Sequence, residues 1–284
     1  MKKDEMLPGR RVVLRLAACF GAVTVLRALS PDQAQPPGGP PSSGGPPRAA
    51  GPQAGAPVRV SSYRLQPMTA HAPPRFRPAR SLVRQRPFLR LAGLGHSMVL
   101  TFDDGPDPRF TPGILSTLRH YDVRAMFFVC GEMADVHRDL LREMAEDGHV
   151  VGNHTWSHPL IPRLSRDAIR DELGRTSEVI ERAVGYAPAW YRAPYGAWSR
   201  SSFEIAAELG MEPLGWSLDT LDWREPGTGT IVRRVREGAG PGVVVLSHDA
   251  GGYRAQSVAA LRTYLPWLLD AGYRIAVPNP MPRM

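Results

Sequence analysis

The chain of 284 residues has only two cysteines, Cys19 and Cys130, which excludes a disulfide-built scaffold. It has no uncharged apolar run of 18 residues, which excludes a polytopic membrane protein. No internal repeat is visible. Acidic residues are scarce in one part of the chain only. Residues 1–95 hold 3 Asp+Glu against 15 Lys+Arg, a charge of +12, whereas residues 96–284 hold 24 against 20, a charge of −4. The overall +8 therefore belongs to the N-terminal third. A basic tail of this kind contacts anionic membrane, nucleic acid or an acidic cell-wall polymer, or stays solvated. It lacks the interleaved aromatics and recognition motif of a specific nucleic-acid binder.

The N-terminus reads as an export segment over residues 1–30. Lys2, Lys3, Arg10, Arg11 and Arg15 precede an apolar stretch over 16–26, a charged region followed by a core of signal-peptide length. The Arg10-Arg11 pair resembles a twin-arginine signal. The alternative to an export segment is a disordered basic N-terminus; within the export reading, a retained anchor over 12–29 and a lipoprotein-like box ending at Cys19 are the alternatives. Each puts the rest of the chain outside the cytoplasm, secreted or anchored. Residues 31–57 hold nine Pro and six Gly, too little apolar surface to offset the entropy of ordering. The disordered linker is expected to run over 31–95, with docking near Leu82 to Leu94.

From Met98 the pattern changes. Short apolar runs over 98–102, 125–130, 149–152, 190–192, 213–218, 243–246 and 274–277 read as strands. Helical spacing follows over 111–122 with Thr111 as N-cap, 132–147, 165–184 between Ser165 and Gly185, 199–209, 229–237 and 255–270. Strands alternating with helices predict an α/β fold. About seven parallel strands over residues 96–278 suit a distorted (β/α) barrel, preceded by the tail. In such barrels reactive residues sit after strand ends, and five polar clusters fall there.

Asp103 and Asp104 in TFDDGP repel each other unless a proton or cation lies between them. His154 and His158 in HTWSH stand at i and i+4, one face of a helical turn, suited to one divalent metal. No Glu adjoins His154, so the HExxH protease pattern is missing. With Asp104 they make a two-His, one-carboxylate set. Arg192 in RAPYG is placed to orient a carboxylate, and a backbone N–H after Pro194 to meet an oxyanion. Asp222 in DTLDW and His248 in LSH can pair, a carboxylate fixing the tautomer of an acid. Cys130 reads as a small buried hydrophobe.

TFDDGP, HTWSH, RAPYG, DTLDW and LSH, in this order over about residues 97–277, resemble the polysaccharide deacetylases of carbohydrate esterase family four, the NodB-homology domain. The resemblance implies a metal-dependent hydrolase that removes N- or O-acetyl groups from an extracellular polysaccharide such as peptidoglycan or chitin oligomers. It implies Asp103 as base, oriented by Arg192, and Asp104, His154 and His158 as ligands of one divalent ion: zinc, with cobalt or another divalent ion as alternatives. It further implies the Tyr195 N–H as oxyanion donor, and His248 as acid tuned by Asp222. Trp223 and Leu246 would line the acetyl-methyl pocket of a monomeric enzyme. The rival reading is a catalytically inactive carbohydrate-binding module on the same fold.

Overall fold

The computed structural model describes residues 82–278; the expected export segment, anchor and 31–57 linker lie outside the described residues. Seven strands run parallel: β1 (Ser97–Asp103), β2 (Met126–Val129), β3 (Val150–Asn153), β4 (Trp190–Tyr191), β5 (Glu212–Pro213), β6 (Leu218–Asp219) and β7 (Val244–His248). Their order is β5-β4-β3-β2-β1-β7-β6, and a short β8 (Arg274–Ile275) pairs with the start of β1. Helices α1 (Thr111–His120), α2 (Gly131–Val136), α3 (Arg138–Glu146), α4 (Arg166–Val184), α5 (Arg200–Glu208), α6 (Thr228–Gly238) and α7 (Ala255–Asp270) fill the connections. The sheet does not close between β5 and β6, so the expected distorted (β/α) barrel of about seven parallel strands forms as an open half-barrel. Among the described residues no helix is long and apolar enough to cross a membrane.

Strand alternation explains both the core and the site. In β1, Met98, Leu100 and Phe102 pack with Ile114, Leu118, Leu261 and Leu265 of the covering helices. Val99 faces the barrel interior with Met126, Phe128, Trp190, Leu214 and Val244. Asp103 continues that inward row at the strand's C-terminal end. In β7 the same alternation turns Val244, Leu246 and His248 inward.

Four expectations are corrected. The single helix over 132–147 is two, broken at His137 (φ −117°, ψ 51°). Gly131 presses α2 against Trp156 and Thr176, leaving no room for a Cβ. The break leaves Val136 73% exposed while α3 still buries Leu140, Leu141 and Met144. Thr111 is not an N-cap: it lies inside α1, and its hydroxyl accepts from Asp107 N–H (2.8 Å) and donates to Asp249. The strand expected over 213–218 divides into β5 and β6, because the intervening backbone crosses the open side of the barrel. Lastly, His154 and His158 lie on no helical turn, as described below. Docking of the segment around 82–94 does occur: Phe88 bridges to Leu214 and Arg90 to Val243.

Candidate active site

β1 supplies the first two carboxylates. Asp103 is buried at the strand end. Asp104 leaves the strand at φ 76°, a left-handed conformation costing about 1–2 kcal/mol for a residue with a Cβ. Its N–H donates to Phe128 O (3.1 Å). The turn lets both carboxylates line one cleft of about 710 Å³. Two glycines make room: a Cβ on Gly105 would lie 2.1 Å from the Asp249 carboxylate, and one on Gly251 2.3 Å from Asp104 Oδ2.

The loop after β3 supplies the imidazoles by an irregular path. Thr155 (φ 71°) and His158 (φ 56°) are left-handed. Glu172 on α4 pins the loop, accepting from the N–H groups of Trp156 and Ser157 (both 2.8 Å) and from Ser157 Oγ (2.7 Å). Asn153 accepts from Thr155 N–H (2.8 Å) and donates to Leu173 O (2.8 Å). This brings His154 Nε2 within 3.4 Å and His158 Nε2 within 3.3 Å of Asp104 Oδ1. His154 Nδ1 lies 2.9 Å from Arg192 O, a contact that puts the ring proton on Nδ1 and leaves Nε2 a lone pair.

Asp104 Oδ1 is buried and has no hydrogen-bond partner among the described residues. A bare carboxylate oxygen there is costly unless a cation shares it. The ligand atoms of Asp104, His154 and His158 all lie within 4.8 Å of one another, and one carboxylate with two imidazoles suits a first-row divalent ion. The residues therefore fit a metal. Burial pushes the Asp104 pKa up, but the contact with His154 and the nearby His248 and His158 outweigh it and hold the carboxylate well below its usual range. Burial, aided by His154, lowers the pKa of His158 and keeps it in the neutral, ligating form.

Arg192 is fully buried behind Asp103. Its Nη1 donates to Asp103 Oδ1 (2.6 Å) and Thr101 Oγ1 (2.7 Å), Nε to Leu214 O (3.0 Å) and Nη2 to Gly215 O (2.8 Å). The guanidinium lies 4.1 Å from the Phe128 ring centre. Burial lowers its pKa and Asp103 opposes that.

His248 stands beside Asp103 as its register partner on the neighbouring strand. Its Nδ1 lies 2.7 Å from Asp222 Oδ1, and its backbone N–H donates to Asp222 Oδ2 (2.8 Å), which also accepts from Ser257 Oγ (2.6 Å). Burial alone would lower the imidazole pKa; the Asp222 bond and charge, with Asp104 and Asp103, overcome it and raise it to about 9. Asp222, which burial would raise, is lowered by its bonds to His248 and Ser257.

Of the ten residues singled out in the sequence, eight line the cleft; Arg192 and Asp222 stand behind it. Tyr195 is left-handed (φ 59°), and it and Trp223 are the exposed members, at 67% and 45%. Cys130 is buried in the cleft wall. Sequence reasoning missed Glu172, Asn153, Ser257 and Asp249. Glu172 and Ser257 act across 15 to 35 residues of chain and Asn153 also reaches Leu173, 20 residues on, distances no local motif spans. Asp249, buried beside Asp104 and Asp103, has its pKa raised to about 7.

The polysaccharide deacetylase family model matches residues 92–214. A peptidoglycan-N-acetylglucosamine deacetylase of Bacillus cereus is 40% identical over 178 residues, 62% of this chain; the chain spans only 65% of that relative's length. A chitooligosaccharide deacetylase of Rhizobium leguminosarum is 35% identical over 207 residues, 69% of this chain and 96% of that protein. The crystal structure of the Bc1960 peptidoglycan N-acetylglucosamine deacetylase superposes with a TM-score of 0.64 at 37% identity, covering 67% of this chain and 89% of that one. BA3943 of Bacillus anthracis, described as a pseudoenzyme of carbohydrate esterase family four, superposes at 0.63 with 29% identity, over 68% of this chain and 67% of that one. Near-complete coverage of one relative, the half-barrel and the five clusters at its strand ends agree: the chain belongs to the polysaccharide deacetylase family.

Proposed function

We propose that the chain is a metal-dependent deacetylase that removes N-acetyl groups from an extracellular glycan, peptidoglycan or a chitin oligomer. The observation that carries this reading is the side-by-side register of Asp103 and His248 at the ends of β1 and β7, with the orphaned Asp104 oxygen and two imidazole nitrogens beside them. Adjacent parallel strands lie about 4.8 Å apart, so a base and an acid reach opposite sides of one acetamido group.

Asp104, His154 and His158 would hold one divalent ion. When bound, that ion polarises the acetyl carbonyl and makes water a better nucleophile near neutral pH. Asp103, which lines the cleft, accepts the proton of the attacking water through Oδ2, 3.7 Å from His154 Nε2, while Oδ1 is held by Arg192. The Tyr195 N–H donates to the carbonyl oxygen as negative charge develops; one such donor is worth about 3–4 kcal/mol. His248, kept protonated by Asp222, gives its Nε2 proton to the sugar nitrogen as the C–N bond breaks. Leu246 and Trp223, both on the cleft wall, would line the pocket for the acetyl methyl. The products are acetate and a free amine.

An inactive sugar-binding module needs neither the raised imidazole nor the buried Arg192–Asp103 pair. Acetate release from a panel of N-acetylated glycans by the wild type and by Asp103→Asn tests the reading. Release by the wild type and none above background by the variant, with equal metal content, supports it; equal release by both overturns the base assignment.

A further inference from the structure

The segment at residues 84–91 lies ahead of the region the family model matches, yet it is built into the back of the catalytic centre. Phe88 pairs with the backbone that crosses the open side of the barrel: its N–H donates to Pro213 O (3.0 Å), and its carbonyl accepts from Gly215 N–H (2.7 Å). That last bond matters because the Leu214–Gly215 peptide unit is planar and trans, so its N–H and C=O point in opposite directions. The N–H is held by Phe88, and the C=O therefore aims at Arg192 Nε, 3.0 Å away. One peptide plane is clamped between Phe88 on one side and the guanidinium on the other. The next carbonyl, Gly215 O, holds Nη2 at 2.8 Å.

The segment is anchored at both ends. Arg84 pairs with Glu212 (2.7 Å) and lies 4.3 Å over the Phe88 ring. The Phe88 ring meets Trp190 edge-on at 6.4 Å. Leu91 N–H donates to Gly242 O (3.0 Å) just ahead of β7. Leu89 packs so closely on Gly215 that a Cβ there would lie 2.8 Å from Leu89 Cδ2. One of the four hydrogen bonds that fix the buried guanidinium, to Leu214 O, thus depends on a carbonyl whose orientation this segment sets, and a second, to Gly215 O, comes from the adjoining peptide, whose Gly215 packs against Leu89. The other two reach Thr101 and Asp103.

We propose that residues 84–91 form a positioning strap: by clamping the Leu214–Gly215 peptide, Phe88 holds Arg192, and through Arg192 the Asp103 carboxylate, in working orientation. The link to Arg192 stands by itself; the link to turnover rests on the reading of Asp103 as base. Phe88 touches no reacting group. The strap also continues into the N-terminal basic segment, so chain ahead of the domain is joined directly to the support of the catalytic carboxylate.

The test uses the full chain with Phe88→Ala, with Phe88→Leu as the conservative variant and Arg84→Ala as a surface change that leaves the core intact. Hydrogen exchange at Arg192 Nε–H and Gly215 N–H is read by NMR. Steady-state acetate release is measured well below each variant's Tm, with metal content in parallel. Phe88→Ala should speed exchange at both sites by about 100-fold while β1–β3 amides stay protected. It should lower kcat by about 10- to 100-fold, the cost of a small misplacement, with KM and metal content unchanged. Phe88→Leu should recover most of both, and Arg84→Ala should move both in the same direction by less. A structural role alone would lower Tm without this local exchange or the kcat-only loss. If Phe88→Ala fails to fold, Arg84→Ala decides by the same readouts. Unchanged exchange at Arg192 overturns the strap, and so does wild-type kcat in a folded Phe88→Ala. Fast Arg192 exchange in Phe88→Ala, together with a wild type that releases no acetate, would uphold the strap and refute the deacetylase reading instead.

Discussion

Asp222 and His248 form a pair whose environment pushes two pKa values apart, which supports the proposed acid. The sign is definite. His248 is protonated below about 9, so kcat/KM should fall as pH rises through that region. Asp222→Asn removes the charge and weakens the bond that do most to oppose burial, so the imidazole pKa falls from about 9, with only Asp104 and Asp103 left to hold it up. The alkaline limb of the profile should move down accordingly, and kcat at pH 7.5 should fall by about 10²–10⁴-fold. An alkaline limb that stays in place in the variant would contradict the pairing. On the ligand side, His154→Ala should lose bound metal by elemental analysis, whereas Asp103→Asn should retain it; equal metal in both variants would remove His154 from the ligand set. These residues were legible because each cluster is short and local, with a carboxylate or imidazole next to Gly, Pro or an aromatic. Their geometry was less so. The two histidines match a helical i, i+4 spacing, yet left-handed residues and the distant Glu172 set their actual approach.

At the scale of elements, capping was legible where it is local. Ser165 accepts from Ala168 N–H (3.2 Å) and Gly185 (φ 86°) ends α4, both as expected. Ser165→Ala should cost about 1 kcal/mol, a Tm lower by about 2–4 °C, with kcat unchanged; a loss of activity without a Tm change would show that α4 does more than buttress Glu172. Thr111 fits the same pattern and fails, because α1 already begins at Thr111 and its hydroxyl oxygen accepts from Asp107 N–H while its proton goes to Asp249. His149, between α3 and β3, gives an independent pH test. Its Nδ1 accepts from Ala125 N–H (3.2 Å), and its buried Nε2 has no hydrogen-bond partner among the described residues. Burial lowers its pKa from 6.5 to about 4. The unfolded chain therefore binds the extra proton first, and this contribution to stability is lost as pH falls from about 6.5 towards 4. His149→Gln, which keeps an acceptor without titrating, should flatten the fall in Tm across that window; an unchanged slope would mean the acid sensitivity lies elsewhere.

For the whole molecule, alternating strands and helices made the α/β half-barrel legible, since a parallel sheet needs a covering connection between each pair of strands. The split of charge, +12 before residue 96 and −4 after, separated the tail from the folded region. The role of residues 84–91 was not legible, because their contacts reach more than 100 residues along the chain and carry no motif. One measurement bears most directly on the account: acetate release from N-acetylglucosamine polymers, followed together with bound metal, before chelation, after chelation and after return of one divalent ion. The account predicts about one ion per chain, loss of acetate release on chelation and its recovery on reloading. Acetate release that persists in metal-free protein, or metal-loaded protein that releases none from any N-acetylated glycan, would contradict it.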